Sequence, residues 1–313
     1  MAFAAKTQAY PSNIGTVTIG VAEKAVTLGG NNTLPFYGFD APTVNTPKIG
    51  AEIPGCGISA FSQSGLREFY AGCDTAADMA KRAETVDGVS FLFLNFECAD
   101  PNGENYAVEQ CVQIAQSVCD ATDLPLAVSG CGNNEKDKAL FAAICTALQG
   151  KRLLIMSAQE DTYQDIAACA FKNGHVISAE SSVDINLAKQ LSVLVTQLGI
   201  PADSIVMNPG SAAVGYGFEY VASTLERIRL AALAQSDDLL QMPIITPVSA
   251  EVWGVKEVMM SEMEMPEWGD AEERGIAMEI STASACLTCG SDAVILRHPA
   301  SIKAISRMIG ALA

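Results

Sequence analysis

The chain has 313 residues, 49% of them hydrophobic, and a formal net charge of −17. That charge argues against nucleic acid or an anionic membrane surface as a partner, and no apolar run approaches the roughly 18–20 residues of a membrane-crossing helix. Residues 1–6 lack the basic flank and apolar stretch of a secretory leader, and the ten cysteines of so large a chain read as free thiols, so a cytoplasmic protein is expected.

Residues 1–45 stand apart from the rest of the chain. The stretches 16–20 and 25–30 read as a short hairpin turning near Ala22-Glu23-Lys24. Leu34-Pro-Phe-Tyr-Gly-Phe39 is aromatic and broken by Pro and Gly. Such a hairpin either plugs the bottom of a barrel or extends a partner surface, and the plug is the simpler of the two.

From residue 46 onward, short apolar runs alternate with amphipathic helical patterns. The runs are 48–53, 90–96, 126–130, 153–157, 175–179, 205–208, 243–248 and 293–298. Continuous apolarity marks strands covered on both faces. Helical patterns follow at 74–86, 105–121, 134–148, 162–172, 184–198, 219–234, 270–287 and 301–312. Asp74 and Asp184 suit helix N-caps, and Gly199 before Pro201 suits a left-handed helix end. Eight β-then-α units predict an α/β fold, a (β/α)8 TIM barrel with an N-terminal β-hairpin extension, divided 1–45 and 46–313. In such a barrel the strand-to-helix loops gather at one functional face. The stretch 54–72 is long for a loop and is placed to cover that face.

Several motifs carry competing readings. Cys286-Leu-Thr-Cys289 is a lone CxxC at a helix end, and a structural zinc site needs four ligands, so buried structural thiols are expected. Of the two histidines, His175 opens a strand at the barrel bottom. His298 closes the last strand and suits either ligand contact or packing. Asn208-Pro-Gly210 leads to Gly215-Tyr-Gly217, where glycines let backbone approach a flat ligand and Tyr216 can stack on it. Asn95 ends a strand, and an amide there both donates and accepts. Glu97, Asp100 and Glu104 beside it suit acid/base work or helix capping. Glu226 and Arg229, three apart on a helix, read as an ion pair. Spacing alone stops at a ligand-binding or catalytic barrel.

A set of motifs in shared order extends the reading. These are Leu34-Pro-Phe36 with Val44-Asn45, Ala99-Asp-Pro101, Gly130-Cys-Gly132 with Glu135-Lys-Asp137, and Asp184-Ile-Asn186 with Lys189-Gln-Leu191. Glu226-Arg-Ile-Arg-Leu230, Trp253 with Lys256-Glu257, and Arg297-His-Pro299 continue it. In these the chain resembles the small subunit of the corrinoid iron–sulfur protein, whose archaeal counterpart is the acetyl-CoA decarbonylase/synthase delta subunit. The resemblance implies a non-catalytic barrel subunit paired with a large subunit that carries a corrinoid and a four-iron cluster. It also implies transient contact with a folate-dependent methyltransferase and with acetyl-CoA synthase in the Wood–Ljungdahl pathway. The corrinoid is expected at the barrel mouth, near Asn95, Asn208, Gly215, Tyr216, Thr246 and His298, with no metal held by this chain. One departure is Asn208 before Pro209, where the family pattern suggests an aspartate. The alternative is an enzyme, a pterin-binding methyltetrahydrofolate:corrinoid methyltransferase, with Asn95, Asp100 and Asn208 gripping the pterin.

Overall fold

The computed structural model describes residues 6–313, so positions 1–5 lie outside the described residues. Two strands, β1 (Thr16–Ile19) and β2 (Val26–Gly29), pair antiparallel across a 3-10 turn at Ala22–Lys24. Eight parallel strands come next: β3 (Lys48–Pro54), β4 (Val89–Asn95), β5 (Leu126–Ser129), β6 (Leu154–Ala158), β7 (Val176–Glu180), β8 (Ile205–Asn208), β9 (Ile245–Thr246) and β10 (Ala293–Leu296). Their spatial order is β8-β7-β6-β5-β4-β3-β10-β9. A parallel bridge from Met207 to Ile244 joins the two ends, and Met207 N donates to Pro243 O at 2.8 Å. The eight-unit barrel expected from the sequence is therefore present.

Alternation along each strand divides the core in two. Ile49, Ala51 and Ile53 of β3, like Leu92 and Leu94 of β4, pack outward under the helices. Phe91, Phe93, Met156, Val206 and Ile295 fill the barrel interior. Gly50 is required there, because a Cβ at this position would lie 2.4 Å from the Phe91 ring. Val17, Ile19 and Leu28 of the hairpin join the same inner cluster. Gly20 N donates to Arg152 O at 2.9 Å and Arg152 Nε to Thr18 O at 2.7 Å, just before β6 begins. The hairpin thus plugs the bottom of the barrel.

The helices are α1 (Ser64–Phe69), α2 (Ala76–Glu84), α3 (Val108–Ala121), α4 (Asn134–Ala147), α5 (Tyr163–Lys172) and α6 (Ile185–Gln197). They continue with α7 (Phe218–Ala234), α8 (Val248–Val252), α9 (Lys256–Met259), α10 (Ala271–Cys289) and α11 (Pro299–Leu312). Asp184 caps α6, accepting from Asn186 N and Leu187 N. The cap of α2 is Thr75, not Asp74, because Thr75 and Asp78 form a reciprocal capping box. The seventh barrel strand has two residues, not the six expected, and α8 begins at Val248. Arg229 does not pair with Glu226. It is 2% exposed and bonds Asp292 and, at 2.7 Å, Gly290 O.

Candidate binding face at the barrel mouth

The strand ends place a polar layer on top of the apolar interior. Glu52, from the inward face of β3, is 2% exposed. Arg297, just past β10, holds it by two bonds, Nε to Oε2 at 3.0 Å and Nη2 to Oε1 at 2.9 Å. Burial raises the Glu52 pKa, and the charge and bonds of Arg297 more than reverse that, leaving it below the usual carboxylate range. The guanidinium also lies 5.8 Å from the Phe61 ring centre and 5.9 Å from that of Trp253. Asn95 Nδ2 donates to Glu52 Oε1 at 3.3 Å, while its Oδ1 accepts from Glu97 N at 3.0 Å.

A second network sits across the mouth. Glu180 ends β7 and accepts from Gln159 Nε2 at 2.8 Å and from Asn208 Nδ2 at 3.3 Å. Asn208 Oδ1 in turn accepts from Gly210 N at 3.0 Å. Glu251, on α8, has its pKa raised by desolvation and by the charge of Glu180. Cys56, beyond β3, has its thiol lowered to about 7, chiefly by a hydrogen bond with Cys98.

The long segment after β3 is a built wall, not an open loop. Phe61, Leu66 and Tyr70 bury it, at 3%, 0% and 2% exposure. Glu272 of α10 accepts from Gly65 N at 2.8 Å, Leu66 N at 3.0 Å and Ser64 Oγ at 3.1 Å, so α10 holds the start of α1 in place. Between this wall and the segment holding α9 lies a cleft of about 410 Å³, lined by Gln63, Trp253, Met259 and Arg297 among others. A smaller one of about 250 Å³ opens beside Ser129, Ser157, Gln159 and Glu180. A further cleft of about 430 Å³ lies at the opposite end, against the hairpin turn and Lys151, away from these strand-end groups.

The six residues expected at the mouth fall into three groups. Asn95 and Asn208 lie on its floor, 8% and 1% exposed. Gly215 and Tyr216 lie on the rim, in a loop tied to α10 by Val214 N donating to Thr282 Oγ1 at 3.1 Å. Gly215 has φ +92° and nothing within 4 Å of its would-be Cβ, so its backbone is open to approach. Tyr216 is 45% exposed, and its hydroxyl donates to Glu257. Thr246 does not reach the mouth. It is fully buried behind the barrel wall, with its hydroxyl 3.1 Å from that of Ser291.

His298 sits behind the floor. Its Nδ1 accepts from Ala300 N at 3.1 Å, capping α11, so Nε2 carries the proton toward Glu272 Oε1 at 3.2 Å. Burial lowers its pKa despite Glu272, which favours a neutral ring with both nitrogens engaged. Glu279, fully buried, binds the same turn from below, accepting from Arg297 N at 2.7 Å, His298 N at 3.1 Å and Trp253 Nε1 at 3.0 Å.

Sequence reasoning missed Glu52, Glu180 and Glu279, and it named Arg297 in a motif without giving it a role. Glu52 did leave a signal, a single charge in the apolar run Ile49-Gly-Ala-Glu-Ile53, since a charge in a doubly covered strand must find a partner. Tyr220 at 69%, Met259 at 70% and Met263 at 95% exposure add apolar surface around the rim. CxxC does not build a site: Cys286 is fully buried and pushed up to about 12, chiefly by that burial. Among the described residues, no helix is long and apolar enough to cross a membrane.

In shape the chain is similar to the 7,8-dihydropteroate synthase of Vibrio fischeri, with TM-score 0.61 and 10% identity over 94% of this chain and 97% of the other. It is also similar to the dihydropteroate synthase of Xanthomonas albilineans with 4-aminobenzoic acid, with TM-score 0.56 and 14% identity over 95% and 98%. At such identities the likeness is one of fold alone. In sequence it is 31% identical to the acetyl-CoA decarbonylase/synthase complex subunit delta of Archaeoglobus fulgidus, over 97% of this chain and 69% of that one. The delta 2 subunit of Methanosarcina acetivorans is 30% identical, over 98% and 70%. A family profile described as CO dehydrogenase/acetyl-CoA synthase delta subunit matches residues 16–306. Spanning every barrel strand and the plugging hairpin, that match makes the chain a member of the CO dehydrogenase/acetyl-CoA synthase delta subunit family.

Proposed function

We propose that this chain is the non-catalytic small subunit of a cytoplasmic corrinoid iron–sulfur methyl carrier. In this reading a large subunit brings the corrinoid and the four-iron cluster, and the barrel mouth covers the corrinoid face. A methyltetrahydrofolate-dependent methyltransferase and acetyl-CoA synthase engage the pair in turn. The family match over residues 16–306 carries the reading.

The residues present suit a broad ring with amide arms better than a small deep ligand. The floor is closed, with Asn208 at 1% and Asn95 at 8% exposure. Each is already hydrogen-bonded through both ends of its amide. The rim is open, with Tyr216 and the Gly215 backbone accessible. When bound, a corrinoid supplies the cobalt that accepts and gives up the methyl group. This chain's part is to exclude water and oxidants from one face. Tyr216 would lie against the ring, and Gly215 would let it approach closely. The floor network of Glu52, Arg297, Asn95, Glu180 and Asn208 would keep that surface rigid.

The alternative, a pterin-binding methyltransferase, draws on the same convergence of amides and carboxylates. It requires a pterin to enter between Asn95 and Asn208, whose burial stands against it. The test is to purify the chain alone and with its candidate large subunit, then measure cobalt, visible spectra and methyltetrahydrofolate binding. Corrinoid retained by the pair, with no folate bound by the isolated chain, is expected. Tight folate binding by the isolated chain, with methyl transfer to added corrinoid, overturns the reading. Tyr216→Ala in the pair should leave the fold unchanged and speed reaction of the corrinoid with added ligands.

A further inference from the structure

We propose that Cys145 and Cys169 form a site of reversible covalent modification, an intramolecular disulfide that staples α4 to α5. Their sulfurs lie 3.7 Å apart, one in the last turn of α4 and the other in the facing part of α5. A disulfide holds its sulfurs about 2.05 Å apart, so they must approach by roughly 1.6 Å. Rotation about each Cα–Cβ bond moves a sulfur on that scale. The backbone at Cys145 is pinned, since its carbonyl accepts from His175 Nε2 at 2.9 Å while His175 Nδ1 accepts from Leu153 N at 3.1 Å.

The two thiols are unequal. Cys145 is fully buried, whereas Cys169 is partly exposed. The contact between the two sulfurs lowers the Cys169 thiol, while the same contact and burial raise Cys145. Cys169 is therefore the attacking sulfur and Cys145 the resolving one.

The oxidant is a small-molecule disulfide. Cys169, as thiolate, attacks one sulfur of that disulfide and expels a thiolate, which takes up the proton Cys169 gave up. Cys145 then loses its proton to solvent, attacks Cys169 Sγ and expels the second thiolate, which is protonated in turn. Two protein thiols lose two electrons and the external disulfide is reduced to two thiols. The sequence's CxxC is a poorer candidate, with Cys286 pushed up to about 12.

The test treats the full chain with glutathione disulfide, blocks remaining thiols and digests with trypsin without reductant. Residues 139–151 and 153–172 are tryptic peptides holding Cys145 and Cys169 as their sole cysteines. The expected product is these two peptides joined, two hydrogens lighter than their sum, and separated by dithiothreitol. In Cys145→Ser, Cys169 should carry a glutathione adduct; in Cys169→Ser, Cys145 should stay reduced. Recovery of both peptides as blocked, unlinked thiols while other cysteines oxidise overturns the proposal, as does linkage of either to a third cysteine. Should a variant not fold, the wild-type peptide map decides alone.

Discussion

Replacing Arg297 by methionine isolates the charge that stabilises the floor of the mouth. The methionine keeps an apolar stem near Phe61 and Trp253 but leaves Glu52, 2% exposed, without the guanidinium and its two hydrogen bonds. Removing one partner of a buried ion pair costs about 3–5 kcal/mol. The pH dependence gives the sharper test. In the native chain the Glu52 pKa is depressed, so its stabilisation is present above the unfolded value and lost as pH falls through the folded one. In the variant, burial dominates and the folded pKa lies above the unfolded one. Stability is then highest below the unfolded value, and the deficit grows as pH rises through the folded one, by up to about 1.4 kcal/mol per pH unit. Urea unfolding followed by circular dichroism at about pH 5 and about pH 7.5 should show a smaller deficit at the lower pH. Adding Glu52→Gln should recover at least half of the loss. A deficit under about 1 kcal/mol, or one equal at both pH values, would refute the assignment of a buried, ionised Glu52 held by Arg297.

Other elements give further expected outcomes. Ile19→Ala, at a fully buried hairpin residue, should cost about 2–5 kcal/mol in urea unfolding, because the barrel interior cannot collapse onto the space left. Asp184→Ala, removing the side-chain cap of α6, should cost about 1 kcal/mol and raise amide exchange at Asn186 and Leu187. Burial, above all, lowers the pKa of His175, so the neutral ring is the folded form. Its contribution is present above the unfolded pKa and is lost as pH falls through that value toward the folded one. Native-minus-His175→Gln stability should therefore shrink on titrating below about pH 6.5 by urea unfolding.

The barrel was legible because strands covered on both faces leave continuous apolar runs, and because turn and cap residues bound them. Its site was less so. Glu52 and Arg297 are 245 positions apart, so no local pattern joins them. Thr246 lies on a strand of two residues, too short for alternation to reveal which face it takes, and a one-residue change of register reverses the face. His298 follows a strand end as expected, yet it points behind the floor, where α10 supplies Glu272 and Glu279. The helices α1, α8 and α9 were missed because runs of 6, 5 and 4 residues carry too little periodicity to register. Asp74 and Thr75 are both good caps by type, and the reciprocal bond to Asp78 decides between them.

The hairpin at the bottom of the barrel also constrains the order of assembly. Its strands are complete by Gly29, whereas the inner core cluster that its apolar face joins also includes Ile245, Ala293 and Ile295. At roughly 5–20 residues per second, the ribosome takes on the order of 10–50 s to supply the last of these partners. Two short strands alone are at best marginal in water, so Val17, Ile19 and Leu28 wait uncovered for that interval. The first β-element made is the last to find its place, and closure of the eighth barrel strand becomes the event that ends the nascent chain's exposure to aggregation.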